Sequence, residues 1–167
     1  KIKIANKDDK NFRLKNLESF NQKGFPTKTQ EDWKFSDINK ILNKNFNELN
    51  IKNVNTKTNF LNFIKDFDHN YILLINGKLH QSDFKFEEKN KIEIKTFHND
   101  NFLEESRNNP LIHLNHALSN KGYFLEIKDN YKLKKALIIY NLFTKDLREN
   151  ILNSRNKIKI GKNSELH

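Results

Sequence analysis

The chain contains no cysteine, no methionine, one tryptophan, two prolines and four glycines among 167 residues. Without cysteine there is no disulfide framework and no thiolate ligand for a zinc or iron–sulfur site, so chemistry of that kind must lie outside these residues. No apolar run approaches the ~18 residues needed to cross a bilayer, and no charged-then-apolar signal sequence is present, which predicts a reducing, cytoplasmic setting. Also missing are a Gly-rich phosphate loop, a Gly-x-Ser-x-Gly elbow and a metal-protease His motif, so an enzymatic reading has no residues to rest on. The sequence begins at Lys1 and stops at His167, just after an alternating strand pattern. Together with the missing methionine, this predicts a piece of a longer protein.

What is abundant is lysine. Lys and Arg total 31 against 21 acidic residues, a net charge of +10 and a pI near 9.6. Such a balance suits an anionic partner, and a basic nucleic-acid-binding module is the alternative reading of this chain. The distribution argues against it. Arginine, the better residue for bidentate phosphate or guanine contacts, occurs only at Arg13, Arg107, Arg148 and Arg155, and the lysines are scattered among Asn and Glu.

Periodicity divides the chain into a helical segment at 1–55, an α+β region at 56–132 and a strand-rich end at 133–167. Residues 8–23 read as a helix presenting Phe12, Leu17 and Phe20, with a polar opposite face. Gly24 closes it and Pro26 prevents it from resuming. Thr27 with Gln30 three residues on matches a capping box, and Ser36 can cap a short helix containing Ile38, Ile41 and Leu42. Phe60, Phe63, Ile64 and Phe67 have the spacing of an amphipathic helix. Tyr71–Ile75 reads as an apolar strand, Asn76-Gly77 as a tight hairpin turn and Lys78–His80 as the return. Ile92 and Ile94 alternate as in a strand, Pro110 opens a helix with Leu111, Leu114 and Leu118, and Gly122 reads as its stop. Tyr123–Ile127, Ala136–Phe143 and Lys157–Ile160 read as three further strands.

The most informative stretch runs from Gly24 to Ile38: Gly24, Phe25, Pro26, Thr27, a short charged spacer, then Glu31, Asp32, Trp33, Lys34, Phe35, Ser36 and Ile38. This order resembles the N-terminal signature of the SufD family, scaffold proteins of the Suf system for iron–sulfur cluster assembly. Later segments are similar in order: Ile75-Asn76-Gly77-Lys78-Leu79, the Leu114-Asn115-His116-Ala117-Leu118 helix, Gly122–Ile127, and Ser154-Arg155-Asn156 with Ile158–Leu166. Family members often have proline before that arginine, and here Ser154 precedes it. The resemblance implies an α+β fold in which residues 133–167 begin a right-handed parallel β-helix. It also implies a scaffold, not an enzyme, that pairs with a SufB-like paralogue and a SufC-like ATPase through regions beyond this chain. The cluster would be handled by the intact complex, with no cofactor, metal or catalytic residue within 1–167 and a capping role for this part.

The residues of the signature have structural readings of their own. Trp33, beside Phe25 and Phe35, reads as an anchor that pins the helical segment to the rest. Glu31 and Asp32 are adjacent on a helix, about 100° apart, and cannot share one reacting atom; they suit the helix dipole instead. His113 and His116 stand three apart on one helix, but two imidazoles without a third ligand make an incomplete metal site.

Overall fold

The computed structural model describes residues 4, 6–45, 61–97, 109–147 and 151–167. Helix α1 spans Lys7–Lys23. Its start is fixed by the Asn6 side chain, which accepts the Asp9 N–H at 2.8 Å, with Asp8 and Asp9 in the first turn favouring the helix dipole. It ends where Gly24, at φ 67°, donates its N–H to the Phe20 carbonyl at 2.7 Å. Phe25 then packs edge-on against Phe20, and Pro26 is fully buried. The stripe that α1 buries most deeply is Asp9, Arg13 and Asn16, the face that reads as polar from periodicity, while Phe12, Leu17 and Phe20 are half-buried.

The expected capping box at Thr27 and Gln30 does not form. Gln30 donates its backbone N–H to the Thr27 carbonyl, the Thr27 hydroxyl pairs with that of Thr29, and the chain continues as a 3-10 turn over Glu31–Trp33. Helix α2, Ile38–Asn45, is capped by Asp37 rather than Ser36, the Asp37 carboxylate accepting the Lys40 N–H at 2.9 Å.

The remaining elements are β1 (Asn70–Ile75), β2 (Lys78–Asp83), β3 (Ile92–Thr96), α3 (Pro110–Leu118), β4 (Lys121–Ile127), β5 (Leu137–Leu142) and β6 (Ser154–Ile160). The strands form one mixed six-stranded sheet in the order β3-β4-β2-β1-β5, with β6 also on β4. β1 and β2 form a hairpin through Asn76 and Gly77, whose φ angles of 49° and 74° are those the turn requires. β3 is antiparallel to β4, whereas β5 runs parallel to β1 and β6 parallel to β4. Beyond β6 the parallel pairing extends into the turns, where Asn163 donates its side-chain amide to the Asn130 side chain and Lys132 bridges to Glu165.

Two expectations are corrected here. Residues 133–167 do not begin a right-handed β-helix: β5 and β6 are not neighbours, and they join an open mixed sheet that also holds the antiparallel pairs β1–β2 and β3–β4. Alternation records that a strand has a buried face; it carries no information about which strand lies beside it. The helix expected through Phe60, Phe63, Ile64 and Phe67 is replaced by a 3-10 turn at Leu61–Phe63 followed by bends, with Phe60 outside the described residues. Side chains from the sheet take the backbone groups a helix would use. Lys65 donates its N–H to the Tyr140 hydroxyl, Tyr140 donates to His69 Nε2, and His69 Nδ1 donates to the Phe67 carbonyl at 2.6 Å.

β1 is buried along its whole length because both faces are covered. Ile72 and Leu74 join Tyr123, Leu125, Ile127, Tyr131 and Leu133 on one side, and Tyr71, Leu73 and Ile75 pack with Ile64, Tyr140 and Leu142 on the other. Each fully buried aliphatic side chain contributes about 1.5–3 kcal/mol.

One buried carboxylate ties the loops to this core. Glu87 accepts hydrogen bonds from the Asn70 side chain, the Tyr131 hydroxyl and the backbone N–H groups of Lys134 and Lys135. Burial opposes its ionisation, but these four donors outweigh burial and hold its pKa below the ordinary value. The carboxylate therefore stabilises the fold above its ordinary pKa, and that contribution is lost as pH falls through the lowered folded value. Glu87→Gln should cost about 1–3 kcal/mol at pH 7, because an amide N–H₂ then faces N–H donors. In urea denaturation the gap between wild type and variant should narrow at pH 3; an unchanged gap would contradict this account.

Candidate functional site

The helices meet through polar groups. α3 starts where the Asn109 side chain accepts the Leu111 N–H at 2.9 Å and Pro110 occupies the first helical position, where its missing N–H costs nothing. It ends at Ser119, so Gly122 is not its stop but part of β4. Arg13 of α1 is held by Asp9 at 2.7 Å and donates to the Ala117 carbonyl at 2.9 Å, satisfying an acceptor that the end of α3 leaves unpaired. Asn16 donates its amide to the Phe12 carbonyl, which turns its oxygen toward His113; His113 Nδ1–H donates to it at 2.9 Å. The His116 ring lies 5.4 Å from that of Phe12, and the Arg155 guanidinium of β6 sits 5.8 Å from the same Phe12 ring.

Between α3, the start of β6 and Trp33 lies an open cleft of about 550 Å³. Leu111, Ile112 and Trp33 give it apolar walls; Asn109, Asn115, Ser154 and Asn156 give polar ones; His116, Arg155 and Lys157 supply basic groups, and none of the residues lining it is acidic. Asn115 donates across to the Ser154 carbonyl at 3.3 Å, so α3 and β6 are joined at the cleft floor. Three segments singled out from the sequence thus converge here: Trp33 of the Gly24–Ile38 stretch, the helix around Asn115 and His116, and Arg155.

The rest of the stretch lies apart from the cleft lining. Trp33 is half-buried, whereas Phe35 is 91% exposed and has the Lys34 ammonium 5.1 Å from its ring. Glu31 pairs with Lys34 at 2.6 Å, and Asp32 is exposed. His113 and His116 both face α1, where they pack and hydrogen-bond, and among the described residues no group of three or more His, Asp or Glu is arranged to hold a metal ion. No helix among them is long and apolar enough to cross a membrane.

Residues 6–99 match the family model of the SufBD protein N-terminal region. The chain belongs to this family. Membership in the SufBD family makes it a relative of the Suf-system proteins of iron–sulfur cluster assembly. No curated protein matches the chain. The SufBD match runs from α1 to just past β3, so Trp33 comes from the matched region while α3 and β6 come from the residues that follow it. The half of the cleft that follows the SufBD match carries its basic groups. Sequence reasoning missed Arg13 and Asn16, whose signal was present as a polar i, i+3 pair on a helix otherwise read from its apolar positions.

Burial first, and the charge of Lys23 second, lower the pKa of His113 and favour its neutral form. This imidazole therefore contributes stability above its ordinary pKa near 6.5, and the contribution declines as pH falls below that value toward the folded one. Chemical denaturation between pH 7.5 and 5.5 should show stability falling with pH in the wild type and a shallower fall in His113→Leu. Equal slopes would show that His113 is not neutral in the docked helix pair.

Proposed function

We propose that this SufBD-family chain is the N-terminal part of a SufD-type scaffold subunit that works with a SufB-like paralogue and a SufC-like ATPase. Its role is structural: it holds a folded end of the subunit and catalyses nothing itself. The observation that carries this reading is the Gly24–Ile38 stretch, which has the order of the SufD signature, lies inside the matched residues and builds a joint rather than a reactive site. Gly24 stops α1, Pro26 is buried, and Trp33 forms a wall of the cleft.

The charge pattern favours a protein scaffold over nucleic-acid capture. Lys95, Lys128, Lys132, Lys135 and Lys159 each pair with a carboxylate, namely Glu93, Glu126, Glu165, Asp68 and Glu126. Lysines committed to cross-strand and loop pairs do not form the continuous stripe that tracks a phosphate backbone.

Co-expression of the affinity-tagged intact subunit with SufB-like and SufC-like proteins from the same genome should give a complex that survives about 150 mM salt, a physiological ionic strength. Failure to co-purify, together with tight binding of single-stranded nucleic acid at that salt, would replace the scaffold reading with the nucleic-acid one.

A further inference from the structure

β6 has one described neighbour, β4, and its outer edge pairs with no other described strand. Register fixes what each face of this edge presents. Ile158 and Ile160 lie beside Leu125 and Ile127, which are fully buried, yet they are themselves 39% and 48% exposed. The apolar face of the sheet thus extends one strand beyond its cover. On the opposite face Lys157 and Lys159 stand beside Phe124 and Glu126. That face carries Lys95, Lys128, Lys157 and Lys159 against Glu93 and Glu126, four cations to two anions, and Lys159 reaches Glu126 at 2.8 Å.

We propose that the outer edge of β6 is a strand-addition site for a partner segment whose residues alternate between apolar and acidic. The unpaired backbone N–H and C=O groups would supply the ladder. Apolar side chains on alternate positions would cover Ile158 and Ile160, and carboxylates on the others would meet Lys157 and Lys159. The first half of β6 also borders the basic cleft, because Ser154 to Lys157 line it, so the acidic face would be turned toward the side where Arg155 and Lys157 lie. A second copy of β6 is the poorer occupant. Residues directly opposite in an antiparallel pair share a face, so every such register that sets isoleucine on isoleucine also sets lysine on lysine, and like charges directly opposite repel. This proposal stands on the strand edge alone and does not depend on the assembly role proposed above.

The test uses the 167-residue chain and a fluorescein-labelled, end-blocked Glu-Val-Glu-Val-Glu-Val peptide, with its Lys-Val counterpart as the control. Fluorescence anisotropy at low salt should show saturable binding of the acidic peptide, roughly tenfold tighter than of the basic one, as expected from a few cross-strand charge pairs. Hydrogen exchange should slow at the amides of 155–160 when the acidic peptide is bound. Reversing both charges with Lys157→Glu and Lys159→Glu should invert the preference, so that the Lys-Val peptide becomes the better ligand. Because the inverted preference requires a folded edge, it separates loss of charge from loss of structure. Equal binding of the two peptides, absence of saturable binding or absence of protection in β6 would overturn the proposal. So would a stable dimer in light scattering whose β6 amides are protected without peptide.

Discussion

Gly122 is where three segments of the sheet come together, and the position of the cleft follows from how closely they approach. It forms the one register pair between β2 and β4, opposite Lys78, and its carbonyl accepts the Phe97 N–H just beyond β3. On its other side the Arg155 backbone passes so near that a Cβ on residue 122 would sit 1.8 Å from the Arg155 carbonyl oxygen. Its φ of 121° is also one that L side chains rarely adopt. Any side chain here would drive β6 away from β4. Since β6 carries Ser154 to Lys157 into the cleft, this backbone contact sets the distance between those groups and α3.

The helices are attached by a different physics from the sheet. β1 is held by two apolar clusters, whereas α1 meets α3 through an ion pair, a guanidinium on a helix-end carbonyl and an imidazole on an amide. Apolar contacts tolerate small displacements; these bonds do not, because Arg13 and His113 lose their partners when the helices slide by a fraction of a turn. The α1–α3 junction therefore specifies an orientation more than it adds stability. Breaking one partner costs more than the intact bond contributes, since the group left behind is buried without a replacement.

Much of this fold is legible in the sequence, and the illegible part has a common cause. α1, the β1–β2 hairpin, β3, α3 and the three later strands follow from local signals: Gly24 after a helical pattern, Asn76-Gly77 between apolar runs, and Pro110 before Leu111 and Leu114. What fails is whatever a distant residue decides. Phe60 to Phe67 have helical spacing, but Tyr140, about seventy positions away, takes the Lys65 N–H. Gly122 looks like a helix stop until Arg155 explains why glycine is needed in a strand. Residues 133–167 have the alternation of strands, yet the solenoid inferred for them required knowing their neighbours, and those neighbours are β1 and β4. The candidate cleft was visible only as separate parts, since no local pattern reports that Trp33, Asn115 and Arg155 share a wall.

The excess of lysine also changes meaning once the strands are aligned. Glu126 accepts first from Lys128 and then from Lys159, and these bonds pull its pKa down to about 2. One carboxylate thereby fixes a residue of β6 and the end of β4 in a single register, a use of charge that is local and sensitive to spacing. A net charge of +10 read as a whole suggests a surface seeking a polyanion. Resolved into strands, much of it serves to align the sheet. Basic groups concentrate where a strand edge is open beside the cleft. Charge placed along an edge discriminates among strands by the sequence of their side chains, which total charge cannot do.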